Sequence, residues 1–297
     1  MKNVLFIVLV AVLLTMVCQP AVAAQLRLRY AGSIYTDAEG GPLQHPAGVT
    51  MSGDRLLVAD SGAKRVLTFK YAAGVVTPER VLPLPQNFPL MVELASNGDF
   101  YVLDGLERQV LILDRNGKQK ATLKVKGAGD KRVVPRSFKR TPDGQWLLLD
   151  LFSSRVLLLD EAGSLQRELL FPDGEGFFSD VAVNPQGQLF LLDSVGGRIY
   201  RANKGEEAFT LWSDNLKDYT NFPVSLAATN GSLLLVDKYG SGLAVIGPDG
   251  GFSGRKLSTG WSDGQLYYPS QVSVGAEGQV FIADTENHRV QQFNIEE

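Results

Sequence analysis

Six aspartates recur at nearly equal intervals along the chain and are the first residues to suggest chemistry. They are Asp60, Asp104, Asp150, Asp193, Asp237 and Asp284, separated by 44, 46, 43, 44 and 47 residues. An arginine follows five residues later in four copies, at Arg65, Arg155, Arg198 and Arg289. Recurring carboxylates are compatible with metal binding or catalysis, but a residue that returns once per repeat usually supports structure. We therefore predict that each aspartate accepts backbone hydrogen bonds at its turn and that each arginine braces that turn.

Other catalytic patterns are sparse. The chain has two histidines, His45 and His288, and one cysteine, Cys18. A histidine-based metal site needs several imidazoles or equivalent ligands. We find no Ser/His/Asp set, no glycine-rich phosphate loop and no cysteine cluster. A site that joins the two histidines is conceivable only if the first and last repeats are neighbours in a closed ring.

The aspartates are carried by short apolar runs, such as residues 56–60 (LLVAD) and 146–150 (WLLLD). Leucine-rich, β-branched and aromatic runs of this length are typical of strands buried on both faces. Glycine turns precede most of the runs, and a further strand, often entered through proline, lies before each turn. A second apolar strand and a more polar one follow. Each period thus contains four antiparallel strands, a to d, with d predicted to be outermost.

Four-stranded units of about 45 residues are typical of β-propeller blades. We therefore predict an all-β, six-bladed β-propeller with four-stranded antiparallel blades; five or seven blades are the alternatives. The last repeat ends with its third strand, whereas residues 26–30 alternate like a d strand without a blade of their own. We predict that this N-terminal strand pairs with the final strand and closes the ring.

The last repeat resembles the NHL repeat. Residues 284–290 (DTENHRV), the pair Tyr268 and Pro269, and the turn at Gly278 carry the resemblance, and the other five units look like weaker copies. The arginine of the pattern is replaced by Gln109 and Gly242 in two units, and its asparagine is kept only at Asn287. The resemblance implies the propeller fold. It leaves function open, because NHL propellers include both binding platforms and enzymes.

The N-terminus reads as a secretory signal. Lys2 is followed by an apolar run over residues 4–17 and by small residues at 21–24, which is the pattern that signal peptidase recognises. We predict that residues 1–24 are a cleaved signal peptide and that residues 25–297 form a single propeller, periplasmic or secreted. The run is short for a membrane span, so no integral span is expected after cleavage. An uncleaved anchor and lipidation at Cys18 are the alternatives.

The net charge and the arrangement of the loops indicate which kind of partner the protein binds and where. The net charge of the chain is -3, which offers no general attraction for nucleic acid, and export also argues against that partner. Ligand recognition is expected on the face formed by the loops from strand d to the next strand a, because a rigid scaffold holds these loops. The candidate binding residues on this face and at the channel mouth are Arg136, Asp180, Gln271, Phe178, Tyr219, Trp261 and Tyr267.

The favoured function is therefore non-enzymatic binding of a protein or another cell-envelope ligand. Of the two residues that follow each blade-entry proline, or Phe178 in blade 4, only Arg136 and Asp180 are charged, and they lie on neighbouring blades. An ion pair between them would be either structural or a ligand clamp. No catalytic residue, metal ligand or cofactor is assigned. The alternative is a metal-dependent hydrolase or lyase at the channel mouth, lactonase-like and using calcium or zinc.

Overall fold

A computed structural model describes residues 26–129, 131–174 and 176–296. The predicted signal peptide lies outside the described residues. The rest of the prediction of fold is confirmed, since the strands form six four-stranded antiparallel sheets arranged as blades. Two single-turn 3-10 helices, Leu216–Asp218 and Thr285–Asn287, are the helices among the described residues. Neither is long and apolar enough to cross a bilayer.

Blades 1 to 5 use their strands in chain order from the channel outward, and blade 6 does so except that the N-terminal strand is its outermost strand. Blades 1 to 3 consist of β2 (Pro46–Ser52), β3 (Arg55–Asp60), β4 (Arg65–Ala72) and β5 (Val75–Pro83); β6 (Pro89–Leu94), β7 (Phe100–Asp104), β8 (Gln109–Leu113) and β9 (Gln119–Thr122); and β10 (Pro135–Arg140), β11 (Trp146–Asp150), β12 (Arg155–Leu159) and β13 (Leu165–Leu170).

Blades 4 and 5 consist of β14 (Phe178–Val183), β15 (Leu189–Asp193), β16 (Arg198–Ala202) and β17 (Thr210–Ser213), and of β18 (Pro223–Ala228), β19 (Leu233–Asp237), β20 (Gly242–Ile246) and β21 (Phe252–Lys256). Blade 6 runs outward as β24 (Gln271–Val274), β25 (Gln279–Asp284), β26 (Arg289–Glu296) and β1 (Arg27–Ile34). A short parallel pair, β22 (Ser258–Thr259) and β23 (Gln265–Leu266), lies in the loop before blade 6.

The hydrophobic core is divided among the junctions between blades. Six clusters of buried side chains each join residues of two neighbouring blades. At the junction of blades 2 and 3, Trp146 is fully buried, with its ring centroid 4.8 Å from Phe138 and 4.2 Å from Tyr101. Because the second strand of every blade is covered on both faces, its sequence is a continuous apolar run rather than an alternating one.

The N-terminal strand closes the ring, as predicted. β1 is antiparallel to β26, with Arg27 opposite Glu296 and Ile34 opposite Val290, and one bulge follows Tyr30. Tyr30 packs edge-on against Phe293, with ring centroids 5.8 Å apart. Ile34 joins the apolar cluster between blades 6 and 1. The beginning and the end of the propeller are therefore held together by one sheet.

The six repeat aspartates are buried and tie two loops of one blade together. Each carboxylate accepts a hydrogen bond from the backbone amide of a residue 15 to 17 positions earlier, on the loop that enters the same blade. In blade 3, for example, Asp150 accepts from the amides of Val134 and Phe152 at 2.8 and 3.2 Å. The carboxylates are thus structural acceptors that fix the entrance to each blade.

The arginines follow the predicted role in three blades. Arg65, Arg155 and Arg289 each donate from Nε to the aspartate five residues earlier, at 2.7 to 3.0 Å. Arg198 does not, because its side chain lies outside near Asp214 at 3.7 Å and leaves Oδ2 of Asp193 without a hydrogen-bond partner.

Blade 5 has Gly242 in place of the arginine, and the fourth strand of the blade supplies the guanidinium. Arg255 donates to Asp237 at 2.6 Å. A Cβ atom on Gly242 would lie 2.9 Å from that guanidinium. The glycine therefore makes room for a substitute arginine.

Replacing Asp104 with alanine is expected to lower the free energy of unfolding by about 2 kcal/mol, the usual cost of leaving buried donors unpaired. Asp104 accepts from the amides of Phe88 and Leu106 and from the Asn87 side chain, and no guanidinium of the described residues contacts it, so the change measures the loop contacts without an ion pair. Urea denaturation measures it. Glu107→Ala, at an exposed side chain of the same turn, should stay within about 0.5 kcal/mol of the parent. Equal stabilities of the two variants would contradict the structural role.

Candidate functional site

The propeller has two faces, and each is formed by a different set of loops and turns. The loops from each fourth strand to the next blade and the turns between second and third strands form one face, which we call the loop face. The turns between first and second strands and those between third and fourth strands form the other, which we call the hairpin face. The predicted binding residues were assigned to the loop face and the channel mouth.

Six aromatic side chains form a connected series on the loop face, which we call the aromatic arc. Its members in order are Phe177, Phe222, Tyr239, Tyr268, Tyr267 and Trp261, and successive ring centroids lie 6.3, 5.2, 6.0, 4.9 and 5.7 Å apart. The arc runs from the entrance of blade 4 to the entrance of blade 6. Trp261 at its end is 74% exposed and Tyr239 at its centre is 54% exposed. Because the rings contact one another while facing solvent, they form one patch rather than scattered exposed residues.

A second set of exposed apolar residues lies on the same face and was missed by the sequence analysis. In blades 2 to 5 the residue two positions after the repeat aspartate is large, apolar and exposed, and we call these the turn-tip residues. They are Leu106, Phe152, Val195 and Tyr239. The corresponding residues in blades 1 and 6 are Gly62 and Glu286. Comparison of this position across the six repeats was the signal that could have found them.

Three of the predicted binding residues are buried in structural roles. Phe178 lies in the core between blades 3 and 4, with its ring 4.5 Å from Phe171, whereas the preceding Phe177 is exposed. Gln271 is buried, and its Oε1 accepts from the amide of Val49 on the next blade at 2.7 Å. Asp180 is fully buried. These side chains are therefore not available on the loop face.

The remaining predicted residues lie on or near the loop face. Trp261 and Tyr267 belong to the aromatic arc, and the guanidinium carbon of Arg136 lies 5.8 Å from the ring centroid of Phe177, the first member of the arc. Arg136 and Asp180 form no ion pair. Tyr219 is exposed but stacks on Phe252, with ring centroids 4.0 Å apart and nearly parallel planes. It makes none of the ring contacts that connect the arc.

Ring closure brings the two histidines into contact. The His45 and His288 rings are 4.1 Å apart, Nδ1 of His288 accepts from the His45 amide at 3.1 Å, and Nε2 of His45 lies 3.7 Å from Glu286. The described part of the chain contains no group of three or more His, Cys, Asp or Glu side chains placed to hold a metal ion.

The central channel contains a cavity of about 1090 Å³ lined by the innermost strands and by the turns of the hairpin face. No member of the aromatic arc lines it. The wall includes the side chain that lies four positions after each blade-entry proline, or after Phe178 in blade 4. Around the ring these residues are Thr50, Glu93, Lys139, Ala182, Ala227 and Ser273. The sequence analysis considered only the first two positions after the proline and so missed two charged residues of this wall, Glu93 and Lys139.

Asp180 connects three blades beside this cavity. It accepts hydrogen bonds from Ser137 Oγ at 2.5 Å and Lys139 Nζ at 2.7 Å in blade 3, and from the amide of Leu226 in blade 5 at 2.9 Å. Lys139 also donates to the carbonyl oxygen of Leu226 at 2.8 Å. Both the Asp180 carboxylate and the Lys139 ammonium therefore join neighbouring blades.

Glu93 differs from Asp180 in having few partners. Its side chain accepts a long hydrogen bond from Thr50 Oγ1 at 3.4 Å and lies within reach of the Arg140 backbone amide, and the residue is 6% exposed. Burial raises the pKa of the Glu93 carboxyl to about 8, although the neighbouring Lys139 charge and the Thr50 hydroxyl act in the opposite direction. A carboxyl group that faces a cavity with so little compensation is unusual for a purely structural residue.

Comparison with known families identifies one repeat directly. The model of the NHL repeat matches residues 266–293, which cover β24, β25 and most of β26 in blade 6. No curated protein matches the chain significantly.

Solved structures share the fold at low sequence identity. A gluconolactonase from Xanthomonas campestris has a TM-score of 0.67 at 18% identity, covering 92% of this chain and 91% of its own. A catalytically inactive virginiamycin B lyase from Staphylococcus aureus, solved with quinupristin, gives 0.60 at 14% identity, covering 90% and 85%. The PQQ-bound aldose sugar dehydrogenase of Streptomyces coelicolor gives 0.65 at 13% identity, covering 92% and 99%. At these identities the likeness concerns the fold alone.

Proposed function

We propose that this chain, a six-bladed β-propeller of the NHL-repeat family, is a non-enzymatic binding protein that recognises a protein partner through its loop face. The aromatic arc is the observation that carries the proposal. All five successive ring pairs of the arc are in contact, and they extend across three blades. The turn-tip residues extend exposed apolar surface to blades 2 and 3. Contiguous exposed apolar surface of this kind marks interaction sites, whereas single exposed apolar residues are ordinary.

The composition of the arc suits a protein partner. Tyrosine and tryptophan combine a large apolar ring with a polar atom and contribute heavily to binding at protein interfaces. Arg136 adds a cation at one end of the arc, against Phe177. The proposed setting is the periplasm or the cell exterior, which follows from the predicted signal peptide at residues 1–24.

Two serine substitutions in the arc, Tyr239→Ser and Trp261→Ser, are expected to weaken partner binding by about 30-fold each, the effect of losing an aromatic hot spot. Both side chains are exposed, so the thermal midpoint should stay close to that of the parent. The experiment is affinity capture from an envelope extract of the native cell, followed by titration of the purified captured partner against each variant.

The matched control for these substitutions is Leu211→Ser. Leu211 is similarly exposed but lies on β17, the outer strand of blade 4, away from the arc. A partner that binds the parent and the control equally well, and the two arc variants much less, supports the proposal. Undiminished binding by both arc variants, or failure to capture any saturable partner, contradicts it.

The alternative is a metal-dependent hydrolase or lyase, and its support is the likeness in fold to a gluconolactonase and a virginiamycin B lyase. The donors near the channel do not match such a site. Glu93 belongs to no group of three or more potential metal ligands among the described residues, and the oxygens of Asp180 are already bonded to Ser137, Lys139 and Leu226. Metal analysis of the purified protein tests this alternative, since stoichiometric calcium or zinc would favour it over binding alone.

A further inference from the structure

We propose that the channel cavity is a binding site for a small alkylammonium compound, with the Glu93 carboxylate as its ion-pairing partner. The apolar part of the ligand would lie against the alanines on the opposite wall. This site opens on the hairpin face and is separate from the aromatic arc, so it is independent of the proposed protein interface.

The channel wall is divided into a polar and an apolar half. Ser273, Thr50, Glu93 and Lys139 occupy equivalent positions on the consecutive blades 6, 1, 2 and 3, whereas Ala182 and Ala227 occupy that position on blades 4 and 5. The two small side chains leave space opposite Glu93. A cavity of about 1090 Å³ accommodates a small ligand together with water. A molecule with one polar end and one apolar end fits both halves.

Glu93 is the charged group in this channel that the fold leaves almost unused. Asp180, in contrast, accepts three hydrogen bonds and holds Lys139 in an ion pair at 2.7 Å. Glu93 has two neutral donors, the Thr50 hydroxyl at 3.4 Å and the Arg140 backbone amide, although it is 94% buried. A buried carboxylate gains most from a partner that brings both positive charge and hydrogen-bond donors, and an ammonium group brings both.

The charges around the cavity favour a cation. The groups that act on Glu93 are Lys139 and Arg140 of blade 3, and blade 1 contributes the neutral Thr50. Lys139 is engaged by Asp180, and Arg140 by Glu161. The lining as a whole has three carboxylates, Glu93, Glu277 and Glu296, against these two cations, and Glu296 is itself paired with Arg29 at 2.7 Å. Ionised Glu93 would therefore repel an anionic ligand and attract a cationic one.

The test uses three probes of equal length, n-hexylammonium, 1-hexanol and hexanoate, titrated against the full-length protein by ligand-observed NMR. Hexylammonium is expected to bind at pH 9 with a Kd on the order of 1 mM, an affinity typical of so small a ligand. Hexanol and hexanoate should bind at least about tenfold more weakly, because neither supplies a cation to Glu93.

The affinity for hexylammonium should fall as the pH is lowered. The Glu93 carboxyl, with its pKa of about 8, is mostly ionised at pH 9 and mostly protonated at pH 6. An alkylammonium group stays charged throughout this range, as lysine does. Because binding needs the ionised carboxyl, we expect a loss on the order of 100-fold between pH 9 and pH 6.

Substitutions in the cavity distinguish the contribution of the Glu93 charge to binding from that of the space beside the alanines. Glu93→Gln should remove both the binding of hexylammonium and its pH dependence, without lowering the thermal midpoint at pH 9, because it removes a buried charge. Ala227→Leu should block the alkyl chain while it leaves Glu93 in place. Glu296→Gln, at the rim of the cavity, should bind like the parent.

Three results would overturn the proposal. They are equal affinities for the three probes, undiminished binding by Glu93→Gln or Ala227→Leu, and no saturable binding of hexylammonium by the parent at pH 9. None of these results bears on the aromatic arc, because its residues do not line the cavity.

Discussion

Asp180→Ala is expected to lower the free energy of unfolding by about 3–5 kcal/mol, the cost of removing one partner from a buried ion pair. The change leaves the Lys139 ammonium beside the carbonyl oxygen of Leu226 with no carboxylate, and it leaves the Leu226 amide without an acceptor. Because Asp180 connects blades 3, 4 and 5, the loss affects two junctions at once. Urea denaturation measures the effect, provided that the dependence of the unfolding free energy on urea concentration is the same for the variant and the parent.

A double replacement distinguishes the unpaired charge from loss of packing. Lys139→Met combined with Asp180→Leu removes both charges and retains apolar volume, and such exchanges of buried pairs are often close to neutral. We expect the double variant to be more stable than Asp180→Ala. If Asp180→Ala alone unfolds at the same urea concentration as the parent, Asp180 does not join the blades energetically, and the assignment fails.

Deleting residues 26–34 is expected to abolish the stable closed propeller or to lower its thermal midpoint on the order of 10–20 °C, given the usual 2–4 °C per kcal/mol for a chain of this size. The deletion removes the backbone pairing of β1 with β26 and the packing of Leu28, Tyr30 and Ile34. It also leaves β26 as an unpaired edge, which promotes association with other chains. Circular dichroism and size-exclusion chromatography measure the two effects.

A circular permutant provides the rescue experiment for that deletion. Arg27 lies opposite Glu296, so an Asn-Gly turn can connect Glu296 to residues 27–34 as a two-residue hairpin. A permutant that begins at Tyr35 and ends with this strand is expected to recover most of the stability. The same permutant with the eight strand residues scrambled is the control. Equal stabilities of the two permutants would show that the pairing of β1 is unimportant.

Much of the fold could be predicted because the repeat brings its own local signals. The 43–47-residue spacing of the aspartates and the apolar run before each one identified six blades, and the lack of a fourth strand after Asn294 indicated closure by β1. The role of the aspartates followed from their recurrence. Arg198 departs from the pattern because its side chain lies outside, although its spacing from the aspartate is the same as that of Arg65.

The candidate sites were predicted less well, for reasons of geometry. Phe177 and Phe178 are adjacent in sequence, yet one contributes to the aromatic arc and the other to the core. Successive side chains at the start of a strand point to opposite sides. Asp180 was expected near Arg136, but its partner is Lys139, three residues after Arg136 on the same strand. Arg136 lies instead against Phe177.

The sequence by itself determined the architecture, since hydrophobic runs, turn residues and their period are properties of each segment that survive without knowledge of its neighbours. The tertiary structure decided which side chains meet. The aromatic arc combines loops of three blades, and the channel brings Glu93 of blade 2 opposite Ala227 of blade 5. These contacts depend on the curvature of the closed ring and on which face of each strand is inward, and no local pattern specifies either.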